Sequence, residues 1–477
     1  MTKKNQQIAL AAGVFALILG FYVYENISPG TFSGLRGKHA AKIHDFKIDL
    51  QRFAYAETLR SIRVDSTEFI AEIENVIRQK GLPADVFVDK NAGKSSAERI
   101  TGPNIAITLH DQFYKYYDTE KPNKSLEKLW EKSPEGPWDI DKQTLDSVKA
   151  TLAELEPARL AIRSILKQPD TYFYYIFVYP QDLKSRFDVE ITVNTEASRY
   201  LTDYTLLEEY VIAQALLDGN IAEAVGALAY MFRIAQLASY LGNVAVRSDA
   251  ALVRLRAFDV MQRIVLDPKF NKSHMVYLRN MLQEQYKDWT SERVAWFGDR
   301  ASGIKLYHQV LMYGESALEQ SALDELKARG VDIDEVFLPG FMKYHEADEV
   351  LYLQSMQKIL DISDKPFRQR QDVLNQISDE LHQKDNTSVD GISTEAFLAN
   401  MLLKDAGGLM RLFAKDRTAL TRALALTSLS VGQSQTDNYR DFLTDEPYPV
   451  QKGDGFISIT IGTLPRPFRV PDFTAAQ

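Results

Sequence analysis

The chain has 477 residues, 45% hydrophobic and 25% charged, with a formal charge of −9; this suits two or three folded domains and excludes a disordered chain. The acidic balance argues against nucleic acid as a partner, because phosphate binding needs concentrated Lys and Arg. With no cysteine anywhere, disulfides, thiolate metal sites, a lipoprotein anchor and cysteine catalysis are excluded.

Residues 1–7, with Lys3 and Lys4, precede a run of 17 uncharged residues at 8–24 built on Ile8, Leu10, Val14, Phe15, Leu17, Ile18, Leu19, Phe21, Tyr22, Val23 and Tyr24. As a helix this run reaches about 26 Å, near the lower limit for crossing a bilayer. Tyr22 and Tyr24 fall where an interfacial aromatic belt belongs. No small-residue cleavage site follows, so the expectation is an uncleaved transmembrane signal-anchor. Lys3 and Lys4 favour a cytoplasmic tail over the competing Arg36, Lys38 and Lys42. The expected placement is single-pass in the inner (plasma) membrane, with the body on the periplasmic, extracytoplasmic side. Gly20-Phe21 and Glu25 imitate a prepilin cleavage site, but the apolar run lies on the wrong side of it.

Residues 25–140 read as a membrane-proximal α+β region. A helix over 67–80 ends at Gly81-Leu-Pro83, and the alternations Val86/Val88 and Ile105/Ile107/Leu109 predict two short strands. Residues 141–430 form the helical array domain. There the stripe Ile221, Val225, Leu228, Phe232 and Ala235 follows the turn Asp218-Gly219-Asn220, which predicts an αα-hairpin of tetratricopeptide-like size. Further helices are predicted over Ala250–Leu266, Ser291–Met312, Phe341–Leu360, Pro366–His382 and Gly407–Ser428. The C-terminal tail, 431–477, holds one strand at Phe456–Ile461. The expected fold is all-α with minor β, an irregular α-hairpin array without a fixed repeat.

Leu155-Glu-Pro-Ala-Arg-Leu160, expected to open a helix, the segment from Leu207 to Ala238, Gly298-Asp-Arg-Ala301 and the helix around Asp348–Met356 resemble a family of uncharacterised bacterial signal-anchored, mostly helical extracytoplasmic proteins. The resemblance spans residues 145 to 430 and rests on helix-packing patterns. Members commonly end in a small strand unit, which Gly453-Asp-Gly-Phe456 resembles. The resemblance implies an anchored helical domain outside the cytoplasm and no particular activity.

Chemical motifs are sparse. Asn91-Ala-Gly-Lys-Ser95 lacks the first glycine of a phosphate-binding loop, since Val88 stands there. His345-Glu346-Ala-Asp348-Glu349 is the densest group of ligand types, and His345 with Glu349 could share one helix face around a metal. An acidic first helical turn with a His–Glu pair explains the same residues, so no metal and no cofactor are expected. Asp139 with Asp141, or Asp299 with Glu292, have no more claim to a catalytic role than any other carboxylates in so acidic a chain. Arg233, inside an apolar helix, is expected to form a buried ion pair with Glu208 or Glu209. Arg247, Arg254, Arg256 and Arg263 are expected on a solvated face, and Tyr172–Tyr179 in the core. The sequence therefore points to a membrane-anchored envelope protein that binds or scaffolds other envelope proteins without catalysis. Its expected partners are the lipid bilayer and those proteins, not nucleic acid. The alternative is a metal- or carboxylate-dependent hydrolase acting on envelope material.

Overall fold

The computed structural model describes residues 104–116, 142–173, 176–178, 190–192, 195–240, 243–318, 338–385, 396–433, 439–461 and 468–474, with 75, 78–80, 129, 323, 324 and 327 besides. The anchor run and the Val86/Val88 alternation lie outside these residues. What is described is mostly helical with a minor β component.

The predicted hairpin is present. Helix α3 (Thr195–Leu217) and helix α4 (Ile221–Ala238) flank a turn in which Gly219 adopts φ 68°, the left-handed conformation glycine enters without strain. A side chain there would also have to displace the flexible end of Lys269. Asn220 caps α4 by accepting from the Glu223 amide at 3.2 Å. Every residue of the predicted stripe on α4 is buried. This helix is also the one among the described residues long and apolar enough to cross a membrane, with a mean hydropathy of 1.3, but 61% of it is buried inside the fold. It is a core helix.

Helix α5 (Val244–Val265) packs on both α3 and α4, and α6 (Lys272–Lys287) packs on α4. A later helix, α11 (Ala406–Ser430), lies across α5 and α6 and closes the main core. Between them in sequence come α7 (Glu292–Tyr313), α8 (Leu338–Ile362), α9 (Phe367–Asp385) and the short α10 (Phe397–Leu403), with α8 packed against α7, α9 and α10. The boundaries predicted for α7, α8, α9 and α11 fall within three residues of these ends, α5 starts six residues before its predicted Ala250, and α6 and α10 were not predicted.

Two elements differ from expectation. The segment read as a strand at Ile105/Ile107/Leu109 is helix α1 (Ile105–Phe113). Asn104 caps it, accepting from the Ala106 amide at 2.9 Å, and the buried residues Ile105, Leu109 and Phe113 recur every four positions. The alternation was the first half of a helical stripe. Helix α2 (Lys142–Leu166) contains Pro157 in its interior, so Leu155–Leu160 lies mid-helix and not at a start. Pro157 has no N–H to offer the Ala153 carbonyl.

Among the described residues the β component is two small antiparallel sheets. Strands β1 (Ile176–Val178) and β2 (Glu190–Thr192) pair with each other, Phe177 opposite Ile191. Strands β3 (Val450–Gly453), β4 (Phe456–Ile459) and β5 (Phe468–Pro471) form a second sheet in that order. Asp454 and Gly455, at φ 51° and 75°, make the two-residue turn between β3 and β4. Ile457, Ile459, Phe468 and Val470 point into the α5–α11 core. At the β5 edge, the Gln262 side chain donates to the Arg469 carbonyl and accepts from its amide, both at 2.8 Å. The helix thus supplies the hydrogen bonds that a neighbouring strand would otherwise make.

Candidate functional site

A groove of about 410 Å³ opens between α2, α3 and the start of α4, within the usual size range of ligand sites. Leu152, Ala153, Val211 and Ala215 contribute apolar lining, and Lys149, Glu156, Gln214, Asp218, Asn220 and Glu223 polar lining. Ala153, whose carbonyl Pro157 cannot satisfy, is one of the lining residues.

Beneath the groove is a charged floor. Arg163 forks onto Glu208, with Nε 2.8 Å from Oε1 and Nη2 2.5 Å from Oε2, and reaches Glu223 at 3.0 Å. Its guanidinium lies over the Tyr230 ring at 4.7 Å. Arg159 forks onto Glu156 at 2.7 and 2.5 Å and stands 3.5 Å from Glu208. Burial would pull Arg163 down, but Glu208 and Glu223 outweigh it and hold the guanidinium more firmly charged than usual. Glu208 is fully buried, so removing Arg163 would leave its carboxylate away from water with only Arg159, 3.5 Å off, to offset it.

A second charged cluster sits where α5 meets α11. Arg254 donates to Asp416 at 2.5 Å, and Arg370 forks onto Glu292 at 2.6 and 3.1 Å. Arg247 and Arg254 both lie 5.0 Å from the centre of the Trp289 ring. Arg247 donates to the Ser239 and Thr290 carbonyls at 2.8 and 3.2 Å. Both arginines were expected on a solvated face and are instead buried, at 3% and 2% exposure. Their spacing of seven does place them on one face of α5, but α11 covers that face. Arg256 is also committed, forked onto Glu209.

The ion pair expected between Arg233 and Glu208 or Glu209 is replaced by these pairings. Glu208 belongs to Arg163 and Glu209 to Arg256, while Arg233 Nη1 donates to Gln236, three residues on, at 3.2 Å. The α2 and α5 arginines bring planar forks onto both carboxylates, which satisfy more oxygen lone pairs than a single contact would.

His345 lies on α8, 3.4 Å from the Glu346 carboxylate and with its ring 5.8 Å from that of Phe341; Glu349 is buried. Among the described residues no group of three or more His, Asp and Glu is placed to share a metal ion. Their neighbour Asp348 accepts from the Tyr307 hydroxyl and from the Leu398 and Ala399 amides, each at 2.8 Å, tying α10 to α7 and α8. Burial pushes its carboxyl up to about 7 against those three donors. Glu292 is committed to Arg370, while burial pushes Asp299 up to about 7.

Sequence reading missed the groove and its floor. Glu156, Arg159 and Arg163 at steps of three and four would have marked one charged helix face, but the carboxylate that fixes it is 45 residues further on. No protein-family model, curated protein or solved structure matches the chain.

Proposed function

We propose that the chain is a membrane-anchored helical protein of the cell envelope that binds a partner protein, with the α2–α3–α4 groove as the seat. The groove carries this reading. It combines apolar and polar lining with a cluster of buried ion pairs that fixes its walls. The open side leans acidic: the exposed Asp218 accepts only from Gln214 among the hydrogen bonds described, while Glu156 and Glu223, 42% and 41% exposed, are held by Arg159 and Arg163, and Lys149 by Asp146 at 2.5 Å. Such an edge suits a segment bearing Lys or Arg. Helical hairpins set side by side often present surfaces of this kind, consistent with an irregular α-hairpin array. The uncharged run at 8–24, headed by Lys3 and Lys4, supports the anchor and an extracytoplasmic body.

A photo-crosslinking residue in place of Gln214, in intact cells, tests the groove. A defined partner band that disappears in Glu156→Lys/Asp218→Lys, and survives two reversals elsewhere on the surface, is the expected result. A band indifferent to the groove reversals sinks the reading. The anchor is tested separately by Ser28→Cys and Ser434→Cys in the cysteine-free chain. Both thiols should react in intact cells with a maleimide that cannot cross the inner membrane; labelling only after lysis would place the body in the cytoplasm.

A further inference from the structure

The α5–α11 cluster contains one buried cation more than buried anions. Three guanidiniums are buried there, Arg247, Arg254 and Arg370, against two buried carboxylates, Asp416 and Glu292. Arg254 takes Asp416 and Arg370 takes Glu292. The remaining acid that reaches Arg247 is Asp364, which is exposed and already accepts from Ser291 and from the Glu292 amide. Arg247 is left with two backbone carbonyls and the Trp289 face. These solvate a guanidinium without neutralising it, and a buried charge is ordinarily paired.

The unmet hydrogen-bonding groups have the same bias. Arg247 Nε, Arg254 Nε, Trp289 Nε1 and Thr290 Oγ1 are buried without a partner, and all four can donate; Asp416 Oδ1 is the acceptor in the same state. Neutralisation by proton loss is closed off as well. Burial first, and Arg254 second, pull Arg247 down only to about 10, so it stays cationic at neutral pH.

We propose that Arg247 is the receptor of a small monovalent anion, chloride or a short carboxylate, held at the junction of α5, α11 and Trp289–Thr290. An anion accepts hydrogen bonds only, which matches a set dominated by donors, and a single negative charge balances the cluster. The site is independent of the groove.

The test is thermal unfolding of the full-length protein in detergent, in sodium chloride, sodium formate or sodium gluconate at equal ionic strength, gluconate being too bulky for a buried site. Chloride or formate should raise the melting temperature saturably, by an amount on the order of a few degrees, while gluconate should not. Saturation in formate but not chloride assigns a carboxylate, and the reverse assigns chloride. Arg247→Met should lose the response, while the exposed-site control Lys287→Met keeps it. If Arg247→Met does not fold, chloride-35 NMR of the unaltered protein replaces it: line broadening reversed by formate is expected. Equal melting in all three salts or an unchanged response in Arg247→Met overturns the proposal, and so does absence of such broadening where chloride raised the melting temperature.

Discussion

The two arginine clusters are built from the same parts and balanced differently. Under the groove, Arg159 and Arg163 face Glu156, Glu208 and Glu223, and each guanidinium has a forked carboxylate partner. At the α5–α11 junction, Arg254 and Arg370 have partners and Arg247 has carbonyls and a ring. The first cluster joins elements close in sequence, α2 to α4, and is open to solvent on its groove side. The second joins α5 to α11 and is shut. A solvent-facing cluster can tolerate imbalance, because water and salt screen it. In a closed one the imbalance must be met from within. Charge balance, more than the number of ion pairs, separates a structural cluster from one with chemistry still to perform.

Asp416→Asn tests this contrast most severely. It leaves Arg254 unpaired and doubles the surplus cation, so a loss of about 3–5 kcal/mol in urea-monitored stability is expected, toward the upper end. Glu208→Gln strips the groove floor of its central carboxylate; its cost should fall toward the lower end of the same about 3–5 kcal/mol range, because Glu223 still holds Arg163. Equal losses would mean that balance does not distinguish the clusters.

A carboxylate with no cation to offset its burial extends the comparison. Asp299 is pushed up by burial from its ordinary range to about 7. Its protonated form is therefore favoured by folding, and the chain should lose stability as pH rises from about 4 to 7, with no further change above. Asp299→Asn should make that slope shallower, leaving the share that belongs to Asp348, and its melting temperature should exceed that of the unaltered protein at pH 8 more than at pH 5. Parallel pH profiles would remove Asp299 from the account. Asn220→Ala, at the groove edge, is expected to have the smallest effect. Losing the cap of α4 should cost about 1 kcal/mol by urea titration and leave the ion pairs below unchanged.

The helices were legible because their burial is local. The stripe on α4 and the Asp218-Gly219-Asn220 turn lie within one short stretch, and their periodicity carries the burial with it. Short apolar runs were less secure: Ile105, Ile107 and Leu109 fit a strand or a helix, and Phe113 decided it. Asp454-Gly455 was a readable hairpin signal, yet only the strand after it was predicted. Charged residues were the least legible. Arg247 and Arg254 share a face by spacing, but whether water reaches that face depends on α11, and Asp416 lies 162 residues beyond Arg254. Periodicity reports which residues face together and says nothing about what covers them.

The β3–β5 sheet bears on how the chain is made. Its residues Ile457, Ile459, Phe468 and Val470 share a core with Phe258, Ile264 and Leu424, and Gln262 reaches across 207 positions to Arg469. A ribosome therefore releases α5 long before the segments that cover it. At roughly 5–20 residues per second, that interval is on the order of 10–40 s. Throughout it the apolar face of α5 must be shielded by something other than its final neighbours. A messenger cut short after α11 would yield a chain with α1 to α11 present but with the core they share with the sheet open along one side, a form well suited to capture by chaperones or proteases.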